Sequence, residues 1–207
     1  MRCFVGIDLA PSEKLALDAW REKALPDVLP KQHTLPHVNH KRAHASALSS
    51  TPYAIPAANY HITLCFLGDI THRQHDAIIS ELDTIVAPPF SVVLDTTGVW
   101  NGPKILVTAP SVKEPALVEL ARATRKAARA SNISVEKREY SPHVTVIRKA
   151  NHTLPVPGFS PHIDLAVSAF HLFESVSTPS GVTYPIRHSW SLQHAMSIRE
   201  QLRKGLI

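Results

Sequence analysis

The feature that most constrains this chain is a short stretch that occurs twice, as Tyr60-His61-Ile62-Thr63-Leu64 and as Pro142-His143-Val144-Thr145-Val146. Both copies lie in apolar, β-branched surroundings that predict a buried strand. Successive side chains of a strand point to opposite faces, so His61 and Thr63 share one face while Ile62 and Leu64 share the other. His143 and Thr145 stand in the same relation to Val144 and Val146. Each copy therefore packs an apolar face inward and presents an imidazole and a hydroxyl from a rigid backbone. Two such strands facing one cleft gather two imidazoles and two hydroxyls. With 13 histidines and 13 threonines in 207 residues, roughly one His-x-Thr is expected by chance, so the tripeptide carries weight through its setting. The first copy runs on into Phe66-Leu67-Gly68, where the glycine predicts a strand end.

The rest of the chain supplies elements around these strands. Residues 2–8 predict an opening strand. A helix follows with Ser12 as its N-cap, running to about Lys23 and burying Leu15, Leu17 and Trp20. From 24 to 58 the periodicity fails, and Pro26, Pro30, Pro36, Pro52 and Pro56 exclude a long helix, so a loop or insertion is expected. Within it His33, His37, His40 and His44 fall at helical spacing beside Lys41 and Arg42, a pattern that fits a metal site or an RNA-contacting arm. Pro36 interrupts the helix this spacing requires, and a solvated loop is the plainer reading. Thr71 with Gln74 forms a capping box for a helix to about Val86, with Ile78, Ile79, Leu82 and Ile85 on its core face. Residues 90–96 and 104–108 predict strands joined by a turn at Asn101-Gly102-Pro103. Residues 117–130 predict a helix with Leu117, Leu120, Ala121, Ala127 and Ala128 inward. Arg122, Arg125, Lys126 and Arg129 then form an outward basic face, which is a solvated surface or an RNA contact. Strands at 165–175 and 182–192 and a short helix at 196–204 close the chain. Mixed elements with short polar connections favour antiparallel pairing, hence an α+β fold rather than a doubly wound one.

Composition sets bounds. A hydrophobic share of 44% with 19% charged residues belongs to a folded globular chain. A net charge of +5 suits an anionic partner such as RNA. Cys3 and Cys65, both in apolar runs, are expected to be buried thiols. Asp8 interrupts the first apolar run too early for a signal peptide, and no run approaches a membrane span, so a cytoplasmic protein with no membrane partner is expected. The chain contains no G-x-G-x-x-G, Walker A, His-Glu-x-x-His or Cys-x-x-Cys pattern, so neither a cofactor nor a structural metal is indicated.

The residues so far resemble the two-histidine phosphoesterase superfamily, and within it the RNA 2′,3′-cyclic phosphodiesterases, also called the 2′-5′ RNA ligase family. Met1-Arg2-Cys3-Phe4-Val5-Gly6-Ile7-Asp8-Leu9 is similar to the family's opening strand. Asn59-Tyr60-His61-Ile62-Thr63-Leu64-Cys65-Phe66-Leu67-Gly68 resembles its first motif, and Glu139-Tyr140-Ser141-Pro142-His143-Val144-Thr145-Val146-Ile147-Arg148 its second. Leu172-Phe173-Glu174-Ser175, Gly181, Tyr184 and Trp190-Ser191-Leu192 fit its closing strands. The resemblance implies one unit over 1–207 made of two pseudo-symmetric lobes of antiparallel sheet plus helices, facing each other across a central cleft. The stretch at 24–58 is longer than the family leads one to expect.

Opening a cyclic phosphodiester with water needs a base for the water's proton and an acid for the departing ribose oxygen. Two imidazoles fill both roles near neutral pH, one starting neutral and the other charged. Thr63 and Thr145 can donate to the non-bridging phosphoryl oxygens. The residues alone are symmetric as to which ring is which; the family's usual assignment makes His61 the general acid and His143 the general base. The resemblance also implies a phosphate-binding role for Arg148. That residue lies five positions after His143, on the opposite face of a flat strand, and reaches the cleft only if the strand bulges, twists or ends. Tyr140 is either a base-stacking residue or a core or rim aromatic. The expected activity is metal-independent opening of RNA 2′,3′-cyclic phosphates by a monomer, with 2′-5′ joining as its reverse. The alternatives are the same fold acting on a small cyclic nucleotide or 2′-5′ oligonucleotide, and a non-catalytic RNA-binding module.

Overall fold

The computed structural model describes residues 1–30, 51–179 and 181–194. In chain order these form β1 (Arg2–Asp8), α1 (Pro11–Ala24), β2 (Tyr53–Ala54), a 3-10 turn (Ala57–Asn59), β3 (His61–Asp69), α2 (His72–Leu82), β4 (Phe90–Leu94), β5 (Thr96–Trp100), β6 (Ile105–Ala109), α3 (Pro115–Ala130), β7 (Val144–Arg148), β8 (Ile163–Val167), β9 (Ala169–Glu174), β10 (Val176–Thr178), β11 (Gly181–Thr183) and β12 (Ile186–Ser191). All pairings between these strands are antiparallel, so the α+β expectation holds. The four histidines at 33, 37, 40 and 44, with Lys41 and Arg42, and the helix expected at 196–204 lie outside the described residues.

Because β1 is buried on both faces from Cys3 to Ile7, it needs a partner on each edge and covers on each side. It takes β3 and β9 as partners, in a sheet of order β12-β9-β1-β3. A second four-stranded sheet, β2-β7-β6-β5, carries the other motif strand. Strand β4 pairs with β8, and β10 with β11. Behind β3 lies α3, whose Leu117, Leu120, Ala121, Ala127 and Ala128 are buried, and α2 packs on α3. The first motif strand is thus held from behind while its polar face stays open.

Several boundaries differ from expectation. The N-cap of α1 is Ala10, not Ser12: Pro11 presets the first helical φ, and the Glu13 carboxylate accepts the Ala10 N–H at 2.7 Å. Leu15 is exposed, because the buried stripe runs through Leu17, Trp20, Arg21 and Ala24 and Leu15 lies half a turn away from Leu17. The Thr71–Gln74 capping box is present, but α2 ends at Leu82, with Ile85 packing on the core from outside the helix. The run 90–96 breaks at Asp95, whose carboxylate accepts from the Ser111 N–H and hydroxyl, so β4 and β5 go to different sheets. The runs 165–175 and 182–192 split likewise, at Ser168 and at Tyr184-Pro185. Gly68 does not end β3; with φ +73° it sits where Leu67 is extra to the β1 ladder, a glycine bulge. The ends of the expected 24–58 loop belong to the core: Leu25, Val28, Ala54 and Ile55 are buried, and β2 pairs with β7.

Candidate active site

Both motif strands carry a bulge one residue past the threonine. In β3 the register against β1 passes from Thr63 to Cys65, leaving Leu64 extra. In β7 the register against β6 passes from Thr145 to Ile147, leaving Val146 extra. A bulge inverts the alternation beyond it. Hence Leu64 and Cys65 are both buried and Phe66 returns to the open face, while Val146 and Ile147 are both buried and Arg148 returns to it. This meets the condition under which Arg148 reaches the cleft. A cavity of about 210 Å³ is lined by His61, Thr63, His143, Thr145, Arg148 and Tyr184, among others.

The two rings are held alike. His61 Nδ1 lies 2.7 Å from the Asn59 carbonyl oxygen, and His143 Nδ1 lies 2.8 Å from that of Ser141. A carbonyl only accepts, so each Nδ1 carries the proton and donates it, which leaves Nε2 as the free nitrogen of both rings. Aromatic rings pack on each imidazole: Phe4 at 4.7 Å and Tyr184 at 4.9 Å on His61, and Trp100 at 4.3 Å on His143. Burial pushes the His61 ring down to about 4; the bond to Asn59 opposes this, His143 adds to it, and Asp8 opposes it. Burial likewise lowers His143, opposed by the Ser141 carbonyl and helped by Arg138. Both shifts favour the neutral ring at pH 7.

The turn that holds His61 is anchored from α1. Lys14 Nζ donates to the Ala58 carbonyl at 3.2 Å and pairs with Asp8 at 2.7 Å. Tyr60, buried beside His61, donates its hydroxyl to Asp18, which is also held by the buried Arg21. Buried charge here is balanced by its partners and fixes the entry into β3.

Tyr140 does not line the cavity of the two motifs; it lines a neighbouring one beyond His143. Phe4 and Tyr184 enter the sequence reading only as parts of strands and Trp100 not at all, because nothing local marks any of the three as a neighbour of an imidazole. Cys65 lines the neighbouring cavity, but burial pushes its thiol up to about 11, and that of Cys3 likewise, so neither is a thiolate at neutral pH. Among the described residues no three His, Cys, Asp or Glu side chains are grouped to hold a metal ion, and no helix is long and apolar enough to cross a membrane.

A family model described as LigT like Phosphoesterase matches residues 38–109. The RNA 2′,3′-cyclic phosphodiesterase of Escherichia coli K12 is 29% identical over 140 residues, covering 67% of this chain and 78% of the relative. The protein of the same name from Bacillus subtilis 168 is 33% identical over 125 residues, covering 56% of this chain and 68% of the relative. The crystal structure of E. coli LigT complexed with 3′-AMP superimposes with a TM-score of 0.76 at 25% identity, over 93% of this chain and 98% of that one. A complex of the same protein with ATP gives 0.72 over the same shares.

Proposed function

The chain belongs to the LigT-like phosphoesterases of the RNA 2′,3′-cyclic phosphodiesterase family, and on that premise we propose that it opens 2′,3′-cyclic phosphate ends of RNA to 2′-phosphomonoesters. The observation that carries the proposal is the pair of histidines in one cavity, each with Nδ1 tied to a carbonyl and Nε2 free. In the proposed reaction His143 Nε2 takes a proton from water, the water oxygen attacks phosphorus, and the bond from phosphorus to O3′ breaks. His61, protonated at Nε2 when the anionic substrate is bound, gives that proton to O3′. Thr63 and Thr145 donate to the non-bridging oxygens, and Arg148 offsets their charge. Asp8, opposite His61 in the ladder, favours a proton on that ring, whereas burial, His143 and Arg148 disfavour one. The roles of His61 as acid and His143 as base therefore follow the family's usual assignment, which a substrate with a sulfur leaving group tests. The same steps with a ribose 5′-hydroxyl in place of water give a 2′-5′ linkage, so joining is the finer part of this proposal.

The test is to incubate the protein, with and without EDTA, with a short RNA ending in a 2′,3′-cyclic phosphate and to identify the product by phosphorus NMR. A 2′-phosphomonoester in both samples is expected. His61→Ala and His143→Ala should each lower the rate by about two to four orders of magnitude. An intact cyclic phosphate, or turnover that vanishes with EDTA, rejects the proposal.

A further inference from the structure

Asn59 makes two bonds of different kinds. Its main-chain carbonyl accepts from His61 Nδ1 at 2.7 Å, and its side-chain Nδ2 donates to the Val182 carbonyl at 2.8 Å. The first sets the imidazole, and the second reaches the middle of β11. Val182 pairs with Ser177 in a sheet of two strands and three residue pairs, and an isolated two-stranded ribbon is marginal in water. This ribbon is therefore placed by what it is tied to. At its feet the Ser175 N–H donates to the Arg2 carbonyl at 2.7 Å, and the Glu174 N–H to the Pro185 carbonyl at 3.0 Å. Between the fixings at Val182 and Pro185 stands Tyr184, whose ring meets His61 at 4.9 Å and 70° and Phe4 at 5.4 Å and 83°, an edge-to-face arrangement that aromatic pairs favour. The other two rings on the imidazoles, Phe4 of β1 and Trp100 of β5, belong to four-stranded sheets. Tyr184 depends on the ribbon.

We propose that the Asn59 side chain is a positioning group for His61, docking the β10–β11 ribbon so that Tyr184 packs against the ring that the Asn59 carbonyl orients. The turn is the fixed partner in this contact: the Asn59 N–H donates to the Pro56 carbonyl at 2.9 Å, the Tyr60 N–H to the Ala57 carbonyl at 3.0 Å, and Lys14 holds Ala58. The ribbon is the partner that can move. Removing the amide leaves the bond to Nδ1 in place, because that acceptor is main chain. It frees the ribbon, admits water beside the imidazole and weakens the burial that disfavours the charged ring. The titratable and charged groups facing His61 are Asp8 from β1, His143 and Arg148 from the second motif, and Tyr184 after β11; of these the ribbon carries Tyr184 alone. A loosened ring is also less well aligned with the phosphate, so kcat falls. That kinetic consequence rests on the phosphodiesterase reading, whereas the effect on the ring does not.

The test compares the wild type, Asn59→Ala, Tyr184→Leu and the double variant in two measurements. One is the titration of the His61 imidazole by NMR in the ligand-free protein, its signal identified by its loss in His61→Gln. The other is kcat on a mononucleoside 2′,3′-cyclic phosphate. In both single variants the His61 midpoint should rise from about 4 towards the 6.5 of a free imidazole, and kcat should fall roughly three- to tenfold, the worth of one neutral hydrogen bond. Both changes act through one ribbon, so the double variant should lose no more than the worse single variant. Losses that multiply in the double variant would mean that Asn59 and Tyr184 act separately. A wild-type titration and kcat in Asn59→Ala, whether or not Tm falls, would reduce its side chain to a structural contact. Either result overturns the proposal. If the wild type leaves the cyclic phosphate intact, the phosphodiesterase reading falls, and the His61 titration still decides whether Asn59 acts on the ring.

Discussion

Gly6 lies opposite Thr63 where the first motif strand bulges, and Gly6→Ala tests how tightly β1 fixes that strand. A Cβ at this position would stand 2.8 Å from the Ile62 carbonyl oxygen, 3.3 Å from the Phe4 ring and 3.4 Å from the Phe173 ring. Ordinary contact begins near 3.4 Å, so about 0.6 Å must be found. The two rings cannot supply it freely, since they stack on each other at 4.8 Å and Phe4 packs on His61. The Ile62 backbone must therefore move, and it lies between His61 and Thr63. Overpacking of this kind costs about 1–3 kcal/mol, offset by the ~0.5–1 kcal/mol that alanine gains over glycine inside a strand. A loss of about 0–2.5 kcal/mol is the result. A misplacement of about 1 Å costs roughly a hundredfold in rate, so 0.6 Å predicts about a tenfold fall in kcat. The assay is turnover of a 2′,3′-cyclic nucleotide together with Tm, with Gly102→Ala as control because nothing lies within 4 Å of a Cβ there. Wild-type kcat in Gly6→Ala, whatever the change in Tm, would show that the strain is absorbed away from His61 and would refute the reasoning.

A substrate with sulfur at the 3′ bridge separates the two histidines, because a thiolate with a pKa of about 8.5 leaves without a proton: His61→Ala should regain most of its activity on it and His143→Ala should not. Rescue of His143→Ala alone would exchange the roles. Acid stability gives an independent check on the His61 environment. The native ring takes a proton only near pH 4, whereas an unfolded histidine takes one near 6.5, so the unfolded state binds more protons between these values and stability falls as pH drops through that window. The urea midpoint of His61→Gln should fall less between pH 7 and pH 5 than that of the wild type; equal falls would mean that the ring is not held neutral.

The motif strands were legible because alternation is a two-residue signal and each His-x-Thr stretch obeys it. The bulges were not, since an extra residue in a ladder adds nothing unusual to the composition. Their trace is a pair of adjacent apolar residues, Leu64-Cys65 and Val146-Ile147, followed by a residue that returns to the open face. Without the bulge Arg148 would fall on the face opposite His143; with it, Arg148 and Phe66 occupy corresponding positions on the two strands. Strand breaks at Asp95 and Ser168 were hidden for a similar reason. Neither is a glycine or proline, and the chain changes sheets at Asp95 beside a side-chain bond from Ser111 and at Ser168 through tertiary pairing, which local propensity does not register. The aromatic neighbours of the imidazoles come from β1, from the end of β5 and from the residue after β11, so only the folded chain brings them together.

The basic face of α3 shows how far a one-dimensional pattern can be taken. Arg122, Arg125, Lys126 and Arg129 look alike as a list, and a solvated face accounts for three of them, which are exposed. Arg125 is four residues after Ala121 and three before Ala128, both buried, so helical geometry puts it at the edge of the apolar stripe. From that edge its stem follows the core and its guanidinium covers Tyr140. The same helix that supports β3 from behind thus carries one fixed cation to the rim of the cleft. Arg125 lines a cavity together with His143 and not with His61, so the charge around the two imidazoles is unequal.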